Sequence, residues 1–523
     1  MTARILTFLV VCAPFSTAAG QPVDADLLLK GGIVFDGTGS EGVEGDVAIR
    51  DGRIVAVGRF QAGKVVDVID CSGLVVAPGF IDLHNHSDRQ VIASETRAVV
   101  NYLTQGCTTV VTGNCGSGPV DVGEYYAQID AAGAGTNVAH LLPQGSLRDA
   151  VLGLDNRKAT AEEMEKMGRL ADQAMRDGAW GMSTGLIYVP SAYADTEEIV
   201  AIGKVIGAHG GIYASHIRNE GTGLLDAIAE AIEIGRRAQL PVHVSHLKSS
   251  GIQAWGLIRR AADQIEEARA GGLRVTADQY PYTASSTSLG ALLLPASARA
   301  GGDEALKQRL EDPQQEAEVR AHIAASLEER TEKAPIRIAA YRPRPDWAGK
   351  TLRGIAKEEG RDPVDIAIEI SRNGGAGAVS FGMNEEDVRF GMTLPWVATA
   401  SDGSAKVPSS TRPHPRSYGT FPRKIGFYAI AEQALPLAQA IRSCSGLPAD
   451  ILGMTDRGYL REGAFADIAV FDPKQVRDTA TYDDPHQYST GVRYVFVAGE
   501  PAVYRGTPTG ALAGRALRHV SAK

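Results

Sequence analysis

From about residue 75 to about residue 400, short apolar runs alternate with longer amphipathic ones, and few folds tolerate that rhythm. Strand-like runs fall at 75–84, 108–112, 137–142, 180–184, 212–215, 241–245, 273–277, 378–381 and 396–400. Helical patterns separate them. Thr160, with Glu163 three residues on, has the form of a capping box and opens a helix to about Met175. Further helices, to about Ala208, Ala238 and Ala270, each lead into an apolar run. Repeated strand–helix units imply parallel strands with crossover helices. Eight such units close into a (β/α)8 barrel, with its chemistry at the C-terminal strand ends. The candidates exceed eight by one, and the short run 378–381 is the expected spare. The 59 glycines among 523 residues suit the many tight turns of such an α/β fold.

The two ends of the chain have a different texture. Residues 24–76 hold short β runs divided by Gly-rich turns, with Asp51-Gly52 as a hairpin signal, and β runs return between 451 and 515. One small β-sandwich built from both chain ends is expected, flanking a barrel over 77–450. Residues 289–344 are too long for a βα loop and carry a charged, partly helical piece, which predicts an ordered, lid-like insert.

The first 20 residues read as a secretory signal: Arg4, an apolar run from Ile5 to Phe15, then small residues to Gly20. The expected location is therefore secreted or periplasmic. The apolar run is too short to span a bilayer, so no stable membrane insertion is expected. A net charge of -9 without a basic stripe argues against a nucleic-acid partner. The five cysteines show no tight spacing, so neither a disulfide framework nor a zinc ribbon is indicated.

Chemistry concentrates at strand ends. His84 and His86 end the first apolar run, and side chains two apart on a strand face the same way, so both imidazoles can meet one metal ion. His216 and His246 each end a β run that follows a helix. His243 stands an odd number of residues from His246 and, in a regular strand, faces the helix layer as a packing residue. Cys115 lies just past the run at 108–112. A buried structural thiol is the commoner fate of a cysteine, but beside four strand-end histidines the ligand reading gains. Asp402 follows the last run, where a carboxylate can touch a metal and accept a proton from water.

These residues sit in motifs that resemble the amidohydrolase superfamily and, more closely, the N-acyl-D-amino-acid deacylases (D-aminoacylases). The motifs are His84-Asn85-His86, Gly113-Asn114-Cys115-Gly116, Ser215-His216-Ile217-Arg218-Asn219-Glu220, Val244-Ser245-His246-Leu247-Lys248, Asp278-Gln279-Tyr280-Pro281-Tyr282 and Ala400-Ser401-Asp402-Gly403. The resemblance spans nearly all of the chain after the leader. It implies a zinc-dependent hydrolase that releases a carboxylic acid and a D-amino acid. It further implies that Cys115, His216 and His246 hold one tight zinc, that His84, His86 and Asp402, sharing Cys115, form a weaker second site, and that Asp402 acts as base and then acid. Many relatives bridge their metals with a carboxylated lysine. No lysine stands at 180–184, so Cys115 fits that role. The family recognises a free carboxylate beside the scissile amide, for which Lys248, Tyr280, Ser286 and Arg412 are the candidates. Arg218 and Glu220 are the expected supports of the ligands.

Two other readings compete. One is a different amidohydrolase, acting on D-residue dipeptides or cyclic amides with the same centre. The other is a catalytically silent barrel that only binds, for which a complete set of six ligand-type residues is superfluous.

Overall fold

The computed structural model describes residues 21–330 and 332–520, so the expected leader, residues 1–20, lies outside the described residues. The chain begins with β1 (Val23–Val34), β2 (Val43–Arg50), β3 (Arg53–Gly58), β4 (Ala62–Asp70) and β5 (Val75–Pro78). β2 and β3 form the hairpin at Asp51-Gly52, whose φ values of 52° and 72° suit the mirror-image turn that matches strand twist.

The barrel follows: β6 (Phe80–Asp82), β7 (Cys107–Thr112), β8 (Asn137–His140) continued past Leu141 by β9 (Leu142–Pro143), β10 (Gly181–Gly185), β11 (Ile212–His216), β12 (Val242–Val244) and β13 (Val275–Gln279). An insert then carries β14 (Ala284–Ser288), β15 (Ile336–Ala340) and β16 (Gly377–Phe381), before β17 (Val397–Thr399) returns to the barrel. Hydrogen bonding runs β6–β7–β8 and β9–β10–β11–β12–β13–β17, eight barrel positions when β8 and β9 count as one. A parallel bridge between Asn85 and Gly403 closes the ring. There the Asp402 N–H donates to the His84 carbonyl at 2.8 Å and the His86 N–H to the Gly403 carbonyl at 2.7 Å.

Strand alternation divides the barrel's residues between two cores. Ile81, Val111, Ala139, Ala214 and Ala398 pack with one another inside the ring. Their neighbours Val110, Val138, Tyr213, Val242, Val275 and Val397 join the large core shared with the surrounding helices. One of those helices, Ala161–Arg176, starts with the reciprocal Thr160–Glu163 capping box that the sequence predicts.

The chain ends with β18 (Ile468–Phe471), β19 (Val492–Val497), β20 (Glu500–Tyr504) and β21 (Thr507–Pro508). β18 pairs with β5, which joins both chain ends in one nine-stranded sheet, the small β-sandwich domain. β5 and β6 are separated only by Gly79, so this sheet is tied directly to the first barrel strand.

The run at 378–381 lies in β16, outside the barrel, paired antiparallel with β14 and β15. The insert is larger than the sequence suggests. It runs over residues 284–381, because the helix Pro363–Arg372 packs into the insert's own core with Leu289, Leu310, Ile323, Trp347 and Ala378. The expected boundary at 344 falls within this unit, since an antiparallel sheet needs its returning strand. Among the described residues no helix is long and apolar enough to cross a membrane.

Candidate metal centre

Six side chains from five strand ends converge at the C-terminal mouth of the barrel. The Cys115 Sγ lies 3.7 Å from His216 Nδ1 and 3.7 Å from His246 Nε2. Those two imidazole nitrogens are 2.8 Å apart. On the other side of the sulfur, His84 Nε2 stands at 3.2 Å. Asp402 Oδ1 lies 3.6 Å from His84 Nε2 and 3.1 Å from His86 Nε2. Cys115 belongs both to a group with His216 and His246 and to a group with His84 and His86, so it is placed between two potential ion positions.

The backbone makes this convergence possible. Cys115, His246 and Asp402 have φ values of 51°, 38° and 51°, in the left-handed region that non-glycine residues seldom occupy. Each costs on the order of 1–3 kcal/mol. Each lies just beyond a strand (β7, β12 or β17), where the left-handed turn swings the side chain over the barrel axis. This turn also corrects the reading of His243. β12 ends at Val244, so its alternation does not extend to His246, and both histidines reach the interior. His243 Nε2 lies 2.8 Å from Asp278 Oδ2, and its Nδ1 lies 2.9 Å from Thr276 Oγ1.

The electrostatics call for a cation. Burial, reinforced by the charges of Asp402 and Glu220, pushes the Cys115 thiol well above its usual range. Burial pushes His84 down to about 4 and His216 well below the ordinary imidazole range. Left alone, the cluster would hold a neutral thiol at Cys115 and neutral imidazoles at His84 and His216, while Asp402, Glu220 and Asp278 remain charged around them. Burial opposes ionisation of Asp402, but the Arg416 guanidinium beside it outweighs burial and holds its carboxyl well below the usual range. A thiolate, imidazole nitrogens and a carboxylate are the donors that zinc takes. Two donors on a tetrahedral zinc, one sulfur and one nitrogen, stand about 3.6 Å apart given the ordinary bond lengths, which fits the observed 3.7 Å.

Behind the ligands, Glu220 Oε1 lies 2.8 Å from His246 Nδ1, so His246 donates there and keeps its Nε2 lone pair for the cluster. Lys248 is buried, donates to the same Glu220 oxygen and lies 2.7 Å from His246 Nδ1, behind the ligand rather than on the cavity wall. Asp278 accepts from the His246 backbone N–H at 2.7 Å and lies 3.5 Å from His84 Nδ1. Asp82 accepts from the Ser401 N–H at 2.7 Å and so fixes the loop that presents Asp402.

A cavity of about 510 Å³ opens over the cluster, walled by His86, Cys115, Tyr188, Ser286, Asp402 and Arg416 among others. A larger cleft of about 700 Å³ lies outside the barrel, between the helices Leu224–Ala238 and Leu257–Ala270. It contains none of the ligand groups.

Two sequence candidates lie elsewhere. Arg412 is held toward the insert, its N–H donating to the Ala339 carbonyl and its Nη1 to the Thr411 carbonyl at 3.4 Å. The guanidinium at the centre is that of Arg416, which sequence reasoning missed. Its Nη1 donates to Asp402 Oδ2 at 2.7 Å, its Nη2 to the Ser286 carbonyl at 3.1 Å, and it lies 4.8 Å over the buried Tyr280 ring. Three more residues follow Arg412 before the helix Arg416–Pro422 turns the chain back, and His414 Nδ1 accepts from the Arg416 N–H at the turn. The signal was Pro413-His414-Pro415-Arg416, a rigid turn ending in a cation. Arg218 also departs from expectation. It pairs with Glu230 at 2.9 Å and with the carbonyls of Ala192 and Ala194, bracing a loop and touching no ligand.

The amidohydrolase family model matches residues 67–503. A D-aminoacylase of Alcaligenes xylosoxydans xylosoxydans is 36% identical over 97% of this chain and 100% of its own length. A crystal structure of D-aminoacylase superposes with a TM-score of 0.82 at 35% identity, over 94% of this chain and 100% of that one. An N-acyl-D-glutamate deacylase from Bordetella bronchiseptica, complexed with zinc and a phosphonate inhibitor, superposes with a TM-score of 0.80 at 33% identity, covering 95% of this chain and 100% of its own.

Proposed function

We propose that this chain, which belongs to the amidohydrolase family and within it to the N-acyl-D-amino-acid deacylases, hydrolyses the amide bond of N-acyl-D-amino acids to a carboxylic acid and a D-amino acid. The observation that carries this reading is the buried meeting of Cys115, His216 and His246, with Asp402 beside it on the wall of an open cavity. Cys115, His216 and His246 would hold the tight zinc, with His84, His86 and Asp402 offering a weaker second position that shares Cys115. Zinc bound there would polarise the scissile carbonyl and acidify the attacking water.

The protein's own groups supply the rest. Asp402 has one oxygen held by Arg416 and the other turned toward the histidines, and that second oxygen is placed to take a proton from the attacking water. It then returns the proton to the amide nitrogen, which leaves as an amine only when protonated. Arg416 presents a planar fork at the cavity wall and suits the free carboxylate of the substrate, with Tyr280 beneath it and Ser286 beside it. As the guanidinium turns part of its charge to that carboxylate, Asp402 becomes a stronger base at the moment a base is required.

The leader-like residues 1–20 support placing the enzyme outside the cytoplasm, where D-amino-acid derivatives arise from cell-wall material. The test is a hydrolysis panel of N-acetyl-D- and N-acetyl-L-amino acids with zinc supplied. Turnover of D-substrates well ahead of their L-forms is expected. Equal kcat/KM for the two series refutes the D-specific reading, and no turnover of either refutes the amide reading.

A further inference from the structure

A neutral imidazole that offers one nitrogen to a metal carries its proton on the other, and the partner of that N–H orients the ring and strengthens it as a ligand. His246 has such a partner, Glu220 Oε1, 2.8 Å from its Nδ1. His84 is served less well. Its Nε2 faces Cys115 and Asp402, while its buried Nδ1 has no hydrogen-bond partner. Asp278 Oδ2 stands 3.5 Å from that Nδ1, too far for a full hydrogen bond. His216 Nε2 also lacks a partner, but at His84 a carboxylate is at hand and is engaged by another group.

That other group is His243. It stands on β12 opposite Thr276 of β13, the strand that also carries Asp278. His243 Nε2 lies 2.8 Å from the same Oδ2, and because a carboxylate only accepts, Nε2 is the donor. Thr276 Oγ1, 2.9 Å from Nδ1, fixes the other side of the ring. The second oxygen of Asp278 accepts from the His246 N–H at 2.7 Å. Both oxygens are therefore committed, and His84, buried beside them, is left with the longer contact.

We infer that His243 is a positioning residue for the second ion position: by holding Asp278 Oδ2 it withholds from His84 its carboxylate partner and keeps that position weak. This rests on the ligand assignment proposed above. Removing the His243 N–H frees Oδ2 to close on His84 Nδ1, and His84 then binds an ion more tightly. A purely structural residue predicts the reverse, since damage to a buried support loosens a metal site. A cavity of about 230 Å³ at the end of the barrel away from the mouth reaches His243 between Ile212, Val242 and Ile451, which leaves room for a substituted side chain to settle.

The experiment needs no substrate. Calorimetry follows a second equivalent of zinc added to the one-zinc protein, in the wild type, His243→Phe, His243→Gln and Thr276→Val. In His243→Phe, which keeps a ring but no N–H, the second zinc should bind about tenfold tighter, the lower end of what such a partner is worth to metal affinity. His243→Gln can still donate to Asp278 and should stay near the wild type. Thr276→Val removes only the hydroxyl that fixes the ring and should shift affinity the same way by a smaller factor, which keeps the inference testable if His243→Phe misfolds. Adding His86→Ala to His243→Phe should abolish the gain and so locate it at the second position. Second-zinc affinity that is unchanged or weaker in the folded variants overturns the inference, as does an equal gain in His243→Gln or a gain that survives His86→Ala. A wild type that takes up no zinc at all refutes the metal centre proposed above, and this inference with it.

Discussion

Replacing Asp402 with Asn separates the two jobs the structure gives this residue. The amide keeps the size of the carboxylate and can still approach the metal position through its oxygen, but it cannot carry a proton. Loss of general acid–base catalysis at this point should lower kcat by at least about 10²-fold. A second effect follows from the ion pair with Arg416, whose two side chains are only 11% and 5% exposed. Removing one partner of a buried pair typically costs about 3–5 kcal/mol, because the remaining charge stays buried. The asparagine oxygen can still accept one bond from Nη1, so the lower figure, about 3 kcal/mol, is the expected loss of stability. Zinc held by Cys115, His216 and His246 should remain, since none of the three donors changes. The assay combines metal content, steady-state kinetics on one N-acetyl-D-amino acid and denaturant unfolding of the zinc-loaded protein. Near-normal turnover would show that another group moves the proton. Loss of the tightly held zinc would show that Asp402 is chiefly a ligand.

The other expectations are narrower. Cys115→Ala and Cys115→Ser should lose tight zinc and activity together while the fold, followed by circular dichroism, survives; full activity with bound metal in either variant returns Cys115 to a structural role. Arg416→Met should raise KM by about tenfold or more, whereas Arg412→Met, on the insert side, should leave KM as it was; the reverse pattern would restore the assignment read from sequence spacing. Lys424 is buried with its Nζ on the Met392 carbonyl at 3.1 Å, and burial pushes it down to about 8 from 10.5. The folded state therefore resists a proton that the unfolded state holds, so Lys424 costs stability in full below pH 8, and the cost fades as the pH rises toward 10.5. Lys424→Met should accordingly be more stable than the wild type at pH 7, by about 3 kcal/mol, with the gap shrinking above pH 8; a gap that does not change with pH refutes the argument.

Much of this architecture was legible because periodicity is a local property. Eight of the nine apolar runs overlap a barrel strand each, the first of them (75–84) taking in β5 as well as β6, and the run at 378–381 fell outside the ring. The ligand-type residues were legible for a related reason: in a barrel, the C-terminal end of a strand is a fixed place, and a histidine there faces the mouth where metal and substrate meet. What failed was counting along irregular backbone. The parity rule misplaced His243 because His246 has left the strand and taken a φ of 38°. Distance along the chain favoured Arg412 over Arg416, although only the second lies where the chain has turned back. Arg218 looked like a support because it neighbours His216 in sequence, yet its partner Glu230 lies on the next helix. The extent of the insert was hidden because its helix Pro363–Arg372 has the same amphipathic pattern as a barrel helix, and only its core partners tell the two apart.

The pairing of β5 with β18 bears on how the polypeptide is made. Pro78 and Ile468 stand opposite each other in the sheet although about 390 residues separate them. On the ribosome, β1 to β5 emerge first and then wait through synthesis of the whole barrel with one edge of β5 unsatisfied. At roughly 5–20 residues per second that delay is tens of seconds. Throughout it, apolar residues such as Val75, Val76 and Ala77, buried in the finished protein, lack part of their cover. The segment is joined to the first barrel strand through Gly79 alone, so an intermolecular pairing at that edge would also hold His84 and His86 away from their partners. The nascent chain is thus most exposed to mispairing at the point where its catalytic mouth begins, and a holding chaperone acting on this edge would protect the assembly of the metal centre as well as the sheet.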